Sequence, residues 1–145
     1  PFFRIADMYI GETTCDGKKK AWEILSEDVP IHVMDLPQMK RAKDVKAWAE
    51  EIKELMHVVE EFTGNKVTAE KLAESIKLIN NKRKALDRLY ACRKNEKLPI
   101  SGTDALVISQ IAFYDDPARF AQMTNKLCDE LEQRIKDGVS VYRHP

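Results

Sequence analysis

Six apolar residues, Val45, Trp48, Ile52, Leu55, Val59 and Phe62, recur at spacings of three and four. That period places them on one face of an α-helix about five turns long. Thr63-Gly64-Asn65 breaks the pattern, and Thr68 is a good N-cap for a second helix. The second stripe is Leu72, Ile76, Ile79, Leu86 and Leu89, with Tyr90 on its flank. The link is short, so the two helices are expected to form an antiparallel pair. A chain committed to two such helices must be helix-dominated.

The segment before them reads differently. IADMYI, residues 5–10, is an apolar run ending at Gly11, which predicts a strand. Gly17 and three lysines lead into AWEILSE, a short helix that Pro30 ends. IHVMDL, residues 31–36, predicts a second strand closed by Pro37. Strand, helix and strand within about thirty residues suit a βαβ unit with parallel, buried strands. The fold class is therefore α/β. A small parallel βαβ corner precedes the long helix pair and two further helices.

The first of those two helices covers ALVISQIAF, capped by Ser101 or Thr103. It is apolar nearly all round, so burial is expected. Asp115-Asp116-Pro117 signals the start of the last helix: an Asp cap with Pro at the first helical position. Phe120, Met123, Leu127, Leu131 and Ile135 form its stripe, and Gly138 its stop. The expected organisation is 1–40 as the βαβ part of an incomplete Rossmann-like domain, 41–138 as a helical part, and 139–145 as the start of a next strand. The first residues, PFFRIADMYIG, and the last, VSVYRHP, both read as cuts through a larger protein.

Charge narrows the function classes. Lys plus Arg and Asp plus Glu are both 24, giving zero formal net charge. Nothing pulls such a chain electrostatically toward nucleic acid or an anionic membrane. No apolar run approaches the roughly 20 residues of a membrane helix. Three cysteines, at 15, 92 and 128, have no short spacing. They form neither a disulfide framework nor a zinc knuckle, and a reducing cytoplasm is the simplest home.

GETTCDGKKK, residues 11–20, holds the densest chemistry. A nucleotide P-loop needs four residues between its glycines and a hydroxyl after its lysine. Here five residues separate Gly11 from Gly17, and Lys19 follows Lys18. The pattern fails on both counts. Looser anion binding at a lysine-rich helix N-terminus survives, beside the plainer reading of a solvated first turn. Cys15 falls where a βα loop leaves the carboxyl end of a strand, the edge at which open α/β sheets bind ligands. A helix N-terminus and nearby cations favour thiolate, which nucleophiles and soft-metal ligands both require. A lone thiol establishes neither role, and a packed small residue is the commoner one. Cys92 and Cys128 fall inside helices beside apolar stripes, as core residues do.

Other constellations fail on counting. Glu54 and His57 make one Glu-x-x-His unit, whereas a di-iron bundle needs two. His32 and His144 supply no second unit. There is no HExxH zinc motif and no GxSxG elbow.

GETTCDGKKKAWE, then IHVMDLPQ, then LPISGTDAL, resemble in order the 2-hydroxyacyl-CoA dehydratase family. That family includes 2-hydroxyglutaryl-CoA dehydratase subunits, benzoyl-CoA reductase subunits and double-cubane iron–sulfur proteins. The resemblance implies that Cys15 is one of about three cysteine ligands of an iron–sulfur cluster, [4Fe–4S] or a double cubane. Pro1-Phe2-Phe3 resembles the text just after an upstream ligand cysteine, and a later ligand would lie past Pro145. Cys92 and Cys128 match no ligand position. One ligand is too few, so this piece alone is expected to bind no stable cluster and to be inactive.

The resemblance further implies a lyase. An ATP-dependent activator delivers one electron, and radical dehydration of a 2-hydroxyacyl-CoA follows. Its partners would be a second subunit or homodimer mate, the activator and the acyl-CoA. Around Cys15, it suggests that Gly11 and Gly17 admit backbone close to the cluster. Loop N–H groups, with Thr13 and Thr14, would hydrogen-bond its sulfur, Lys18 to Lys20 would offset cluster or CoA phosphate charge, and Glu12 counts among the cofactor-binding residues. No catalytic residue is assigned. Two other readings stand beside this one: a double-cubane-type ATP-dependent reductase or electron-transfer protein, and a non-catalytic structural subunit.

Overall fold

The computed structural model describes residues 5–142. Pro1-Phe2-Phe3, His144 and the end of the expected 139–145 strand therefore lie outside the described residues. Elements follow in the order β1 (Tyr9–Glu12), α1 (Asp16–Leu25), β2 (Ile31–Met34), α2 (Ala42–Thr63), α3 (Ala69–Cys92), α4 (Gly102–Ile111) and α5 (Pro117–Lys136). The chain is helix-rich α/β, as the patterning predicts. It divides into two compact units, one up to Val67 and one from Thr68.

In the first unit β1 and β2 pair in parallel, from Tyr9 opposite Ile31 to Glu12 opposite Met34. Backbone bonds extend the ladder at both ends, Tyr9 N–H to the Pro30 carbonyl at 2.9 Å and Thr13 N–H to the Met34 carbonyl at 3.2 Å. The first strand is thus shifted from the expected 5–10 and runs through Gly11. Pairing decides this: β2 offers a partner only from Ile31 to Met34, so the apolar residues before Tyr9 have no ladder to join. The helix likewise starts earlier than expected, with Gly17 and the three lysines already inside it. The strands are not buried as expected. Ile10 is 50% and Val33 39% exposed, because a two-stranded sheet leaves edges and faces open.

Helix α2 packs against β2, beside the buried Met34. At its start, Asp44 accepts the Arg41 N–H at 3.0 Å and Arg41 Nε–H at 2.6 Å, which satisfies an otherwise orphaned helix-end donor. At its end Gly64 adopts φ 70°, the left-handed stop the break at 63–65 predicts. The buried Glu60 carboxylate closes this turn, accepting Val67 N–H at 2.7 Å and Lys66 Nζ–H at 2.8 Å.

In the second unit Thr68 caps α3 through the Lys71 N–H. The packing partner of α3 here is α5. The expected pairing of α2 with α3 would cross the boundary between the units. Leu89 and Cys92 of α3 meet Cys128 and Leu131 of α5 and Ile100 of the preceding loop in one buried cluster. Arg88 fastens the polar flank: its guanidinium donates to Glu132 at 2.7 Å, Asp129 at 2.6 Å and the Asn125 carbonyl at 3.1 Å.

Of the two cap candidates for α4, Ser101 serves, accepting Asp104 N–H at 3.0 Å. The expected burial of α4 does not hold. Only Ala105 is buried in the helix, while Leu106 is 61% exposed. A ten-residue helix turns one side to a neighbour, and here that side carries the small residues and Ile108. Asp116 caps α5 with Pro117 at its first turn. Gly138, at φ 70°, ends it: Val139 N–H reaches the Arg134 carbonyl at 2.9 Å and Gly138 N–H the Ile135 carbonyl at 3.1 Å, a Schellman pair. Residues 139–142 form no strand; Val141 N–H donates to the Leu98 carbonyl at 2.9 Å.

Candidate functional site

Because β1 and β2 run parallel, both deliver their following loops to the same, carboxyl edge of the sheet. β1 passes into Thr13-Thr14-Cys15, and β2 into Asp35 and Leu36. Cys15 is the N-cap residue of α1, extended at φ −150°, with its carbonyl accepting Lys19 N–H at 3.1 Å. Its side chain makes no capping bond, and the thiol is free and exposed. A group placed there faces the unpaired N–H donors of the first helical turn.

The residues around it divide by what their atoms already hold. A Cβ on Gly11 would come within 2.7 Å of the Trp22 ring. The indole packs against that backbone and donates from Nε1 to the Glu12 carbonyl at 3.1 Å. Gly11 is therefore glycine for the sake of Trp22. A Cβ on Gly17 would meet only Cys15 Sγ, at 4.0 Å. That is an ordinary van der Waals separation, so a first side-chain carbon would fit, and glycine leaves the space beside the sulfur somewhat more open.

The Glu12 carboxylate accepts Thr14 N–H at 2.8 Å and pairs with Lys18. The Lys18 bond, followed by that of Thr14, holds Glu12 down to about 2, so it is ionised at any physiological pH. Lys18 of α1 thus already has an acidic partner, at the end of β1. Lys20 pairs with Glu23 at 2.7 Å, and Lys19 lies 3.8 Å from Asp16. These are exposed pairs of small energetic weight, in keeping with the solvated-first-turn reading. The Thr13 hydroxyl is fully engaged: it donates to Asp35 Oδ1 at 2.7 Å and accepts Leu36 N–H at 2.9 Å.

Trp22, Asp35 and Glu51 are contributors that sequence reasoning missed. An Asp directly after β2, at the same edge as Cys15, was a usable signal for Asp35. Glu51 had none, because its carboxylate reaches the Asp35 N–H, at 2.9 Å, from the middle of α2. The two helix cysteines sit where their apolar surroundings predict. Cys92 and Cys128 are buried in the second unit's core, 4% and 0% exposed. Burial first pushes both thiols up, Cys128 to about 11, with Cys92 as its next cause. His57 is a surface residue 3.9 Å from Glu60. His32 sits on β2 opposite Ile10, with its Nε2 buried and unpaired.

A family model described as 2-hydroxyglutaryl-CoA dehydratase, D-component, matches residues 1–144. The chain belongs to that dehydratase family. It is also 33% identical over 147 residues to the Escherichia coli K12 protein named "Putative dehydratase subunit YjiM". The match takes in the whole of this chain and 38% of that protein's length. The chain thus spans well under half of the relative it matches.

The dehydratase D-component family is linked to iron–sulfur cluster proteins. A cubane cluster ordinarily takes four thiolates, the resemblance implies about three from one subunit, and the donor set here can be checked against either number. Among the described residues no three His, Cys, Asp or Glu side chains are grouped so as to hold a metal ion. Cys15 fits one ligand position, being exposed, free and unobstructed by Gly17. The described residues do not make up a complete cluster site. No helix among them is long and apolar enough to cross a membrane.

Proposed function

We propose that the chain is part of a 2-hydroxyacyl-CoA dehydratase-like lyase subunit and that Cys15 supplies one thiolate to its iron–sulfur cluster, a [4Fe–4S] or double-cubane centre. The observation that carries this reading is an exposed, uncapped thiol at the carboxyl edge of a parallel strand pair, at a helix N-terminus, in a member of a dehydratase family. Within this family a bound cluster would supply single-electron chemistry toward an acyl-CoA thioester, after ATP-driven activation by a separate protein. The work of this chain's residues is narrower. Cys15 presents its sulfur, the first turn of α1 turns positive dipole toward it, and Gly17 keeps the approach clear. The remaining thiolates would come from residues beyond those described, so no proton or bond-breaking step is assigned here. A second subunit or a homodimer mate completes the assembly in this reading. Three free thiols suit a reducing, cytoplasmic setting.

The test is Cys15→Ala in the full-length protein, purified anaerobically. Iron, acid-labile sulfide and 2-hydroxyacyl-CoA dehydration are all expected to fall to background. Iron content equal to that of the wild type would overturn the assignment of Cys15.

A further inference from the structure

Thr13 and Thr14 look interchangeable in sequence, and both read as neighbours of a cluster sulfur. The structure separates them. Thr14 enters the turn through its backbone N–H, bound to Glu12. Thr13 instead spends its hydroxyl hydrogen on Asp35 and takes Leu36 N–H on its oxygen. Its own N–H continues the strand ladder to the Met34 carbonyl. Asp35 is held in turn, because its N–H donates to Glu51 of α2 at 2.9 Å. One continuous chain of hydrogen bonds therefore runs from α2 through the loop after β2 to the residue two positions before Cys15.

We propose that Thr13, Asp35 and Glu51 are positioning residues that fix the Cys15-bearing turn to the loop after β2 and to α2. This rests on the reading of Cys15 as a ligand. The physical need is specific. A strand of four residues and a two-stranded sheet give the turn little rigidity of their own. A metal ligand must be held to within a fraction of an ångström, and the residues behind it do that holding. Thr13 is suited because one hydroxyl is donor and acceptor at once. It ties a side chain and a backbone N–H of the second loop in a single contact. Its role is thereby moved from the sulfur's surroundings to the frame behind it.

The experiment compares Thr13→Val, which keeps shape and removes the hydroxyl, with Thr13→Ser, which restores it. Amide hydrogen exchange on the protein is the first readout. Thr13→Val is expected to speed exchange at Leu36 and across 15–19 about ten-fold, while Thr13→Ser stays within about two-fold of the wild type. The second readout is the EPR spectrum and midpoint potential of the cluster in full-length protein. Thr13→Val is expected to shift both while retaining iron, and Thr13→Ser to restore them. Should Thr13→Val not fold, Glu51→Leu breaks the bridge from α2 without touching the turn. Faster exchange at Asp35 with a shifted spectrum is then expected. Wild-type exchange and spectrum in either bridge-breaking variant overturn the proposal, and so does failure of Thr13→Ser to restore them. The outcome is separable from the ligand reading. Loss of iron in Cys15→Ala with an unaltered Thr13→Val sinks the positioning role alone, whereas retained iron in Cys15→Ala sinks the ligand.

Discussion

The two units hold the same reactive group in opposite settings. In the first, Cys15 stands exposed on a turn held by hydrogen bonds, Thr14 N–H to Glu12, Thr13 to Asp35, and Asp35 N–H to Glu51. In the second, Cys92 and Cys128 lie against Leu89, Ile100 and Leu131, where burial opposes ionisation. A thiolate is reactive and ligating, whereas a thiol kept neutral in an apolar core packs like a small hydrophobe. Placement, not residue type, separates one candidate ligand from two structural cysteines.

The most severe way to disturb this contrast is to open the second core. Leu131 is fully buried, and Leu131→Ala removes its side chain from the α3–α5 contact. It should cost about 2–5 kcal/mol, measured by urea unfolding. Cys92 and Cys128, normally shielded, should then be alkylated faster under native conditions. A loss under about 1 kcal/mol would mean that this cluster is not the core of its unit.

Raising pH tests the same contrast more gently. A free thiol ionises near 8.5, whereas folding pushes Cys128 up to about 11. Below about 8.5 the group is protonated in both states, so its burial carries no pH-linked loss. Between that pH and about 11 the unfolded chain releases a proton that the folded chain keeps. Stability must therefore fall as pH rises through this window. Cys128→Ala should flatten that alkaline fall in a pH series of urea midpoints. In the wild type, Cys15 should be the cysteine labelled by iodoacetamide at pH 8, with Cys92 and Cys128 following only on denaturation. Labelling of Cys128 in the native protein at a rate matching Cys15 would erase the distinction between the units.

How far the sequence foresaw this depends on the range of the interactions involved. Local signals carried well. Thr68 and Asp116 cap the helices they were expected to cap, Ser101 is the one of two candidates that caps α4, and Gly64 and Gly138 stop helices where a left-handed residue is required. Each of these rests on chemistry within a few residues of chain. The parallel strand pair was legible too, but its register was not, since pairing depends on where β2 begins. Cys15 stood out because strand, turn and helix start are contiguous. Its frame did not, because Thr13 and Asp35 are 22 residues apart, and Glu51 comes from another element again. The contact at Gly11 is hidden for the same reason. The close approach it permits is that of Trp22, which no local pattern announces.

The burial expected of α4 failed in an instructive way, and it yields the mildest prediction. An all-round apolar helix predicts enclosure, yet Leu106 is 61% and Val107 51% exposed, in contrast to Ala105 at 1%. Apolar composition states what a helix could bury, while its neighbours decide what it does bury. If that division is right, the two faces of α4 should respond very differently to polar substitution. Leu106→Gln removes little packed surface and should change stability by no more than about 0.5 kcal/mol. Ala105→Gln places a long polar side chain where there is no room and should cost about 1–3 kcal/mol. Parallel urea titrations of the two variants decide the matter. If Leu106→Gln proves as damaging as Ala105→Gln, the outer face of α4 is packed in the protein, as its all-round apolar sequence predicts.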